Sequence, residues 1–221
     1  MSFGKVKHLP MLQDSLQMDL RHLSEYIEET EKAQESSAVN FANDINERAK
    51  DIPEEQQNDW HDWYTDDYWK LSTVFPGLMR SSMFVISYSL LEHRLLEICR
   101  ILQKQQKHKI TLKDLKDEGI RSGQTFLKGV VGVEFPDGKK EWSDITNYNR
   151  LRNAIIHADG ILQTEAVEKM KPFLAATKTI TVDDHGRIHL ERGFCAEVLG
   201  TVHGFFSALF DELKKSETTW V

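Results

Sequence analysis

Cysteine is scarce in this sequence, whose 221 residues contain only Cys99 and Cys195. Both stand among apolar residues in segments with helical periodicity. We therefore expect two buried thiols instead of a disulfide framework or a metal site. Such sparse cysteine is typical of proteins from reducing compartments, which predicts a cytoplasmic location.

Long apolar runs are lacking as well. The longest, "MFVIS" and "FFSALF", fall far short of the roughly 20 residues that a membrane-spanning helix needs. The first ten residues have no apolar stretch of the kind found in secretory signals. The sequence therefore predicts neither a leader nor a membrane span.

Patterns that hold cofactors are also missing. The sequence has no glycine-rich phosphate loop and no zinc pattern of cysteine and histidine, so we expect no cofactor and no metal. The acidic, aromatic segment 54–69 contains Asp59, His61 and Asp62, but without a recognisable ligand spacing. We interpret it as a helix whose aromatic side chains pack inwards and whose acids face water.

The charge is acidic overall, with a net value of −7. This argues against a protein that coats nucleic acid, and no DNA partner is expected. Residues 100–140 are the exception, with ten basic and five acidic residues. They could face a polyanion if the lysines converge in space. The alternative is an ordinary solvated helix end and loop.

Apolar residues spaced three and four apart predict a mainly α fold. One long helix or two, loosened near "ESS", should fill the first fifty residues and end at Pro53. Further helices are predicted over 80–106, 142–158, 164–176 and 192–215, and "FPG" at 75–77 predicts a break. Alternation around "DDHG" predicts a β-hairpin near 179–190. We divide the chain into an N-terminal helical extension, 1–75, and a helical domain, 76–221.

Two charged residues lie on apolar helix faces. On a helical wheel of 142–158, Arg152 falls among Ile145, Tyr148 and Ile156, and Glu92 lies on the apolar side of 80–106. Removing one partner of a buried ion pair costs roughly 3–5 kcal/mol. We therefore predict that Glu92 and Arg152 meet across a helix–helix contact. Ser143 or Asp144 should cap the second helix, and Gly160 should end it.

The stretch "RLRNAIIHADG" also permits a functional interpretation. Asn153 and His157 are four apart and stack on the flank of the helix. Arginine offers a forked donor for a phosphate oxygen, and histidine exchanges a proton near neutral pH. These groups would suffice to cleave RNA without a metal, provided that a second copy in a two-fold dimer supplies the matching acid. The alternative is a structural ion pair beside a helix-end histidine.

Arg152-Asn153-Ala-Ile-Ile-His157 resembles the R-x4–6-H motif of the HEPN domain superfamily. "RSSMFVISYSLLEHRLLEICRIL" and "WSDITNYNRLRNAIIHADG" resemble the helices that surround that motif, and the likeness spans about 80–215. The chain looks similar to bacterial HEPN-like proteins of defence and toxin loci. Toxins of one such subgroup carry a tyrosine where this sequence has Asp159.

The resemblance implies a HEPN-like helical bundle and a metal-independent endoribonuclease acting in toxin–antitoxin or abortive-infection systems. It implies a homodimer, RNA as substrate and a possible regulatory protein partner. By carry-over, Arg152 and His157 would be catalytic and Asn153 supporting. Glu92 is added to these candidate catalytic residues on the evidence of the helical wheel alone. The alternative is a non-catalytic HEPN module that binds a nucleotide, RNA or another protein.

Overall fold

The structure is a computed structural model that describes residues 9–219, with side chains described up to residue 216. The predicted absence of a leader concerns the first residues, of which 1–8 lie outside the described part. The fold is mainly α with one small antiparallel hairpin. This confirms the predicted fold class at that level.

The N-terminal segment forms one helix, α1 (Leu9–Ala49), without the loosening expected near "ESS". Its buried residues include Leu16, Leu20 and Ile27, whose spacing draws one stripe along the bundle. Arg94, which lies in a helix further along the chain, pairs with Asp19 and donates to the Ser15 hydroxyl. These bonds hold α1 against the rest of the bundle. The first helix therefore belongs to the same apolar core as the rest.

A helical rod of 53 residues follows, from Glu54 to Gln106. It begins with a 3-10 turn (Glu54–Gln56), continues as α2 (Gln57–Trp69) and a π-helical turn (Lys70–Val74), and ends as α3 (Phe75–Gln106). The break expected at "FPG" is wrong. Pro76 has no N–H to donate, and the π-turn just before it accommodates the ring without ending the helix.

This rod is long and apolar enough, by length and composition alone, to meet the criteria for a membrane span. Core helices of soluble proteins pass the same test. About a third of its most apolar stretch is buried in the bundle. The predicted domain boundary between 75 and 76 falls inside the rod, where the backbone stays helical.

Residues 107–139 form short elements: a 3-10 turn (Leu112–Asp114), α4 (Gly119–Thr125) and a π-helical turn (Phe126–Val131). α5 (Lys140–His157) follows, and Lys139 stands at its N-cap without a side-chain cap. The capping predicted for Ser143 or Asp144 is therefore wrong, because the helix begins earlier. Asp144 is buried and accepts from Lys140.

The C-terminal part comprises α6 (Thr164–Ala176), β1 (Ile180–Val182), β2 (Ile188–Leu190) and α7 (Phe194–Thr219). The two strands pair antiparallel, with Ile180 opposite Leu190. α7 packs against α1, α3 and α5 and supplies the centre of the core. Trp142 of α5 stacks on Phe205 with ring centroids 5.3 Å apart. The bundle thus holds α5 between α3 and α7.

Candidate functional site

The motif helix α5 buries a face that differs from the predicted one. Its core positions after Tyr148 are Leu151 and Ala154, whereas Ile156 is 42% exposed. Arg152 therefore lies half-buried on the flank of the apolar face instead of in its middle. The wheel erred by about one position because it gave Ile156 the weight of a core residue.

The Arg152 side chain is held by its neighbour. Its Nη1 donates to Oδ1 of Asn153 at 3.0 Å, and Nδ2 of Asn153 donates to Oδ1 of Asn149 at 3.1 Å. Nε of Arg152 is buried and has no hydrogen-bond partner in the described structure. An orphaned, buried donor is costly, on the order of 1–3 kcal/mol. The described structure thus leaves one donor of Arg152 unsatisfied.

The sequence predicts that Glu92 and Arg152 meet across a helix–helix contact, but within residues 9–216 no ion pair joins them. Both charges instead lie within electrostatic range of the Tyr88 hydroxyl. Burial raises the pKa of Tyr88, the Glu92 carboxylate raises it further, and Arg152 and Arg121 lower it. Glu92 of α3 and Arg152 of α5 thus act in opposite directions on the pKa of one buried phenol.

Glu92 also borders the start of α4. A Cβ added to Gly119 would lie 2.6 Å from Oε1 of Glu92, so a side chain there would displace the carboxylate. Gly119 has φ +56°, which favours glycine as well. No short sequence pattern signals this approach, because it joins residues 27 positions apart.

His157 is the last residue of α5 and its side chain is exposed. The chain then turns through Asp159 (φ +51°) and Gly160 (φ +73°), the stop that was predicted. Arg187 of the hairpin turn donates to the backbone oxygen of Asp159 at 3.1 Å and pairs with its carboxylate at 3.2 Å. Sequence reasoning missed Arg187, which fixes the backbone just after the motif.

Strand β2 extends this connection. The N–H of Ile188 donates to the Gly160 oxygen, and the N–H of Leu162 donates to the Gly186 oxygen. The hairpin therefore fastens the segment that leaves α5, and it limits how far His157 can move. Asn153 and His157 lie one turn apart on the exposed side of the helix.

The basic segment 100–140 does not form an uninterrupted basic surface. Lys128 pairs with Asp137, and Arg121 lies over the Trp142 ring, 5.9 Å from its centroid. A groove of about 560 Å³ contains basic and acidic side chains together: Arg100, Lys104, Lys113, Asp117 and Glu118. These bases therefore converge only in part, and acids accompany them.

Between residues 9 and 219, no group of three histidine, cysteine, aspartate or glutamate side chains is arranged to hold a metal ion. Cys99 and Cys195 are both free and buried, as predicted, and burial raises the pKa of each thiol to about 12. In the aromatic segment, Trp60 donates to the Ile45 oxygen, but Trp63 is 82% exposed. The inward packing expected there holds for only part of the segment.

No protein-family model, no curated protein and no solved structure shows significant similarity to this chain. The site is therefore defined by its own geometry: Arg152 fixed by Asn153, Glu92 and Tyr88 beside it, and His157 exposed at the helix end.

Proposed function

We propose that this protein is a metal-independent endoribonuclease of the HEPN type, acting in bacterial stress or phage defence. The observation that carries the proposal is the state of Arg152. Its Nη1 is fixed by Asn153, its buried Nε has no partner in the described structure, and the exposed His157 follows five residues later. A phosphate oxygen is the kind of acceptor that this donor lacks.

The proposed reaction uses the ribose next to the scissile phosphate. One His157 removes the proton of the 2′-hydroxyl, and that oxygen attacks phosphorus. Arg152 donates to a non-bridging oxygen, whose charge grows in the transition state. The bond from phosphorus to the 5′-oxygen breaks, and the leaving oxygen takes a proton from a second His157, supplied by another copy of the chain. The products are a 2′,3′-cyclic phosphate and a 5′-hydroxyl.

Asn153 and Glu92 serve this chemistry by placement. Asn153 fixes the orientation of the Arg152 guanidinium through the 3.0 Å bond. Glu92 contributes its charge beside Tyr88, on the other side of the helix contact. Neither needs to exchange a proton with RNA.

The test is RNA cleavage by the wild type, Arg152→Ala and His157→Ala in the presence of EDTA, with the cut ends mapped. His203→Ala is the matched control, because His203 is also an exposed helical histidine. We expect cyclic-phosphate ends from the wild type and the control, and a loss of at least 100-fold in the other two variants. Equal cleavage by all four proteins would show that Arg152 and His157 are not the catalytic residues.

A second candidate is a non-catalytic module that binds a protein partner. The observation that favours it is the exposed aromatic surface of Trp63, Tyr68 and Trp69 on α2 and at its end. Such rings are common anchors of interfaces. This candidate leads if no protein cleaves RNA while Arg152→Ala lowers the melting temperature and His157→Ala leaves it unchanged.

A further inference from the structure

The outer face of the helical rod is uncovered and carries no charge in its middle. Leu78 is 63% exposed and Ile86 is 49% exposed. Between 71 and 91 the sequence has one charged residue, Arg80, and its guanidinium is bonded to Glu31 on the inner side. We call the exposed residues here, spaced three and four apart, the outer stripe: Phe75, Leu78, Ser82, Ile86 and Ser89.

The two ends of the rod carry opposite charges. Residues 54–69 contain six acids and no lysine or arginine, whereas 98–109 contain four basic residues and no acid. With one step of five through the π-helical turn Lys70–Val74, the outer stripe continues to Asp66 and Asp59 at one end. Steps of three and four continue it to Arg100 and Lys104 at the other end. All four are exposed, and in the described part of the chain none takes part in an ion pair.

These charges are spaced symmetrically about Ser82. Asp66 precedes it by 16 residues and Arg100 follows it by 18; Asp59 precedes it by 23 and Lys104 follows it by 22. At about 1.5 Å per residue, Asp66 and Arg100 lie at nearly equal distances from Ser82, and so do Asp59 and Lys104. Within each pair the two distances differ by only about 2–3 Å. A second rod turned end for end about Ser82 therefore brings opposite charges together.

We propose that two copies of this chain associate through the outer stripe, with their rods antiparallel and a two-fold axis near Ser82. In such an isologous contact each attraction occurs twice. Asp66 of each copy meets Arg100 of the other, and Asp59 meets Lys104. The uncharged centre buries Leu78 and Ile86, which the single chain leaves in water.

A second copy fits this face better than another occupant because the face is complementary to itself. A membrane surface would not use acids at one end and bases at the other. A parallel arrangement would place like charges together, which is unfavourable. The outer stripe lies on the exposed side of α3, whereas α5 packs against its buried side. This contact is therefore separate from one that would bring two copies of His157 together. It uses the rod alone, and its test needs no RNA.

The test is the association constant of the full chain, measured by sedimentation equilibrium in low salt. We expect a wild-type dimer. Arg100→Glu with Lys104→Glu should weaken it at least tenfold, and so should Asp59→Lys with Asp66→Lys. Mixing the two double variants should restore a dimer of one copy of each. The control, Lys139→Glu with Lys169→Glu, reverses two exposed lysines away from the rod and should have no effect.

Cross-linking locates the axis. Ser82→Cys should form an intermolecular disulfide under mild oxidation, since the two residues meet at the axis. Ser89→Cys should not, because its own copies lie roughly 20 Å apart along the rods. The native thiols are buried and do not compete.

A monomeric wild type overturns the proposal, and so does a dimer that ignores both charge reversals and leaves Ser82→Cys unlinked. Binding to anionic lipid vesicles that Leu78→Asp abolishes would assign the stripe to a membrane surface instead, and would also overturn it. Ribonuclease activity in a monomeric wild type would in addition contradict the proposed reaction, which takes its second His157 from another copy. An inactive dimer that responds to both charge reversals would support the association and count only against the proposed ribonuclease.

Discussion

Arg80 and Glu31 form a forked ion pair between α3 and α1. Nε of Arg80 donates to Oε1 of Glu31 at 2.8 Å, and Nη2 donates to Oε2 at 2.9 Å. Nη1 of the same arginine donates to the Leu190 oxygen of β2. Glu31 is 5% exposed, so water does not replace these bonds. One side chain thus joins the first helix, the rod and the hairpin.

Glu31→Ala should lower the free energy of unfolding by about 3 kcal/mol, because it leaves the Arg80 guanidinium half-buried without its partner. The pKa of Arg80 is raised by its bond to Glu31, and an arginine stays charged at neutral pH even without such a bond. Urea denaturation followed by circular dichroism measures the change. Glu29→Ala removes the exposed pair with Lys32 and should cost well under 1 kcal/mol. Equal losses in both variants would contradict the role given to Glu31.

Arg152→Lys tests whether the proposed activity needs the forked donors of the guanidinium or only its positive charge. Lysine keeps the charge but cannot bond Asn153 and present a second donor in the same plane. If the proposed ribonuclease is correct, the variant should lose most of the activity that Arg152→Ala loses, about 100-fold. RNA cleavage in EDTA is the measurement. Wild-type rates in Arg152→Lys would show that a point charge suffices.

Gly186→Ala should destabilise the contact between the hairpin and the segment after α5. Gly186 has φ +80°, and a Cβ there would collide with the backbone oxygen of Leu162. We expect a loss of roughly 2 kcal/mol from the left-handed backbone and the collision together. Gly200→Ala is the opposite case, because a Cβ on that exposed face of α7 meets nothing within 4 Å. It should raise stability by about 0.5–1 kcal/mol. Denaturation midpoints of both variants test the contrast.

The hairpin turn should loosen in acid through Asp183. Its carboxylate bonds His189 and accepts from the N–H groups of Arg187 and His185, which lowers its pKa to about 2. A lowered pKa adds stability above the unfolded value of about 4, and that stability is lost as the pH falls towards 2. The protection of the Arg187 amide, relative to the intrinsic exchange rate at the same pH, should therefore fall across this window. Asp183→Ala should show fast exchange at every pH, and an unchanged pH profile in that variant would contradict the assignment.

The sequence predicted those elements whose signal is local. The stripe of α7 and the alternation around the hairpin turn were enough to place both, because each repeats its own period over several residues. The motif helix was placed for the same reason. Its N-cap was misplaced, because Lys139 and Lys140 carry no side-chain signal that helix begins there.

The candidate site was harder to predict, because its contacts lie far apart in the sequence. The wheel put Glu92 and Arg152 on facing sides, but it could not show that Tyr88 lies near both charges. Arg187 reaches Asp159 across 28 residues, through a turn whose geometry no short pattern encodes. Periodicity predicts which face of a helix is buried. It does not predict which side chain on the neighbouring helix a given residue contacts.

The π-helical turn Lys70–Val74 behaves like an insertion of one residue into an otherwise regular helix. Removing one residue there would rotate everything before it by about 100° relative to α3. Trp60, which bonds the Ile45 oxygen, and Tyr64, whose ring meets Phe41, would then swing away from α1. The extra residue sets the phase between the two halves of the rod, so α2 can face α1 while α3 faces the bundle.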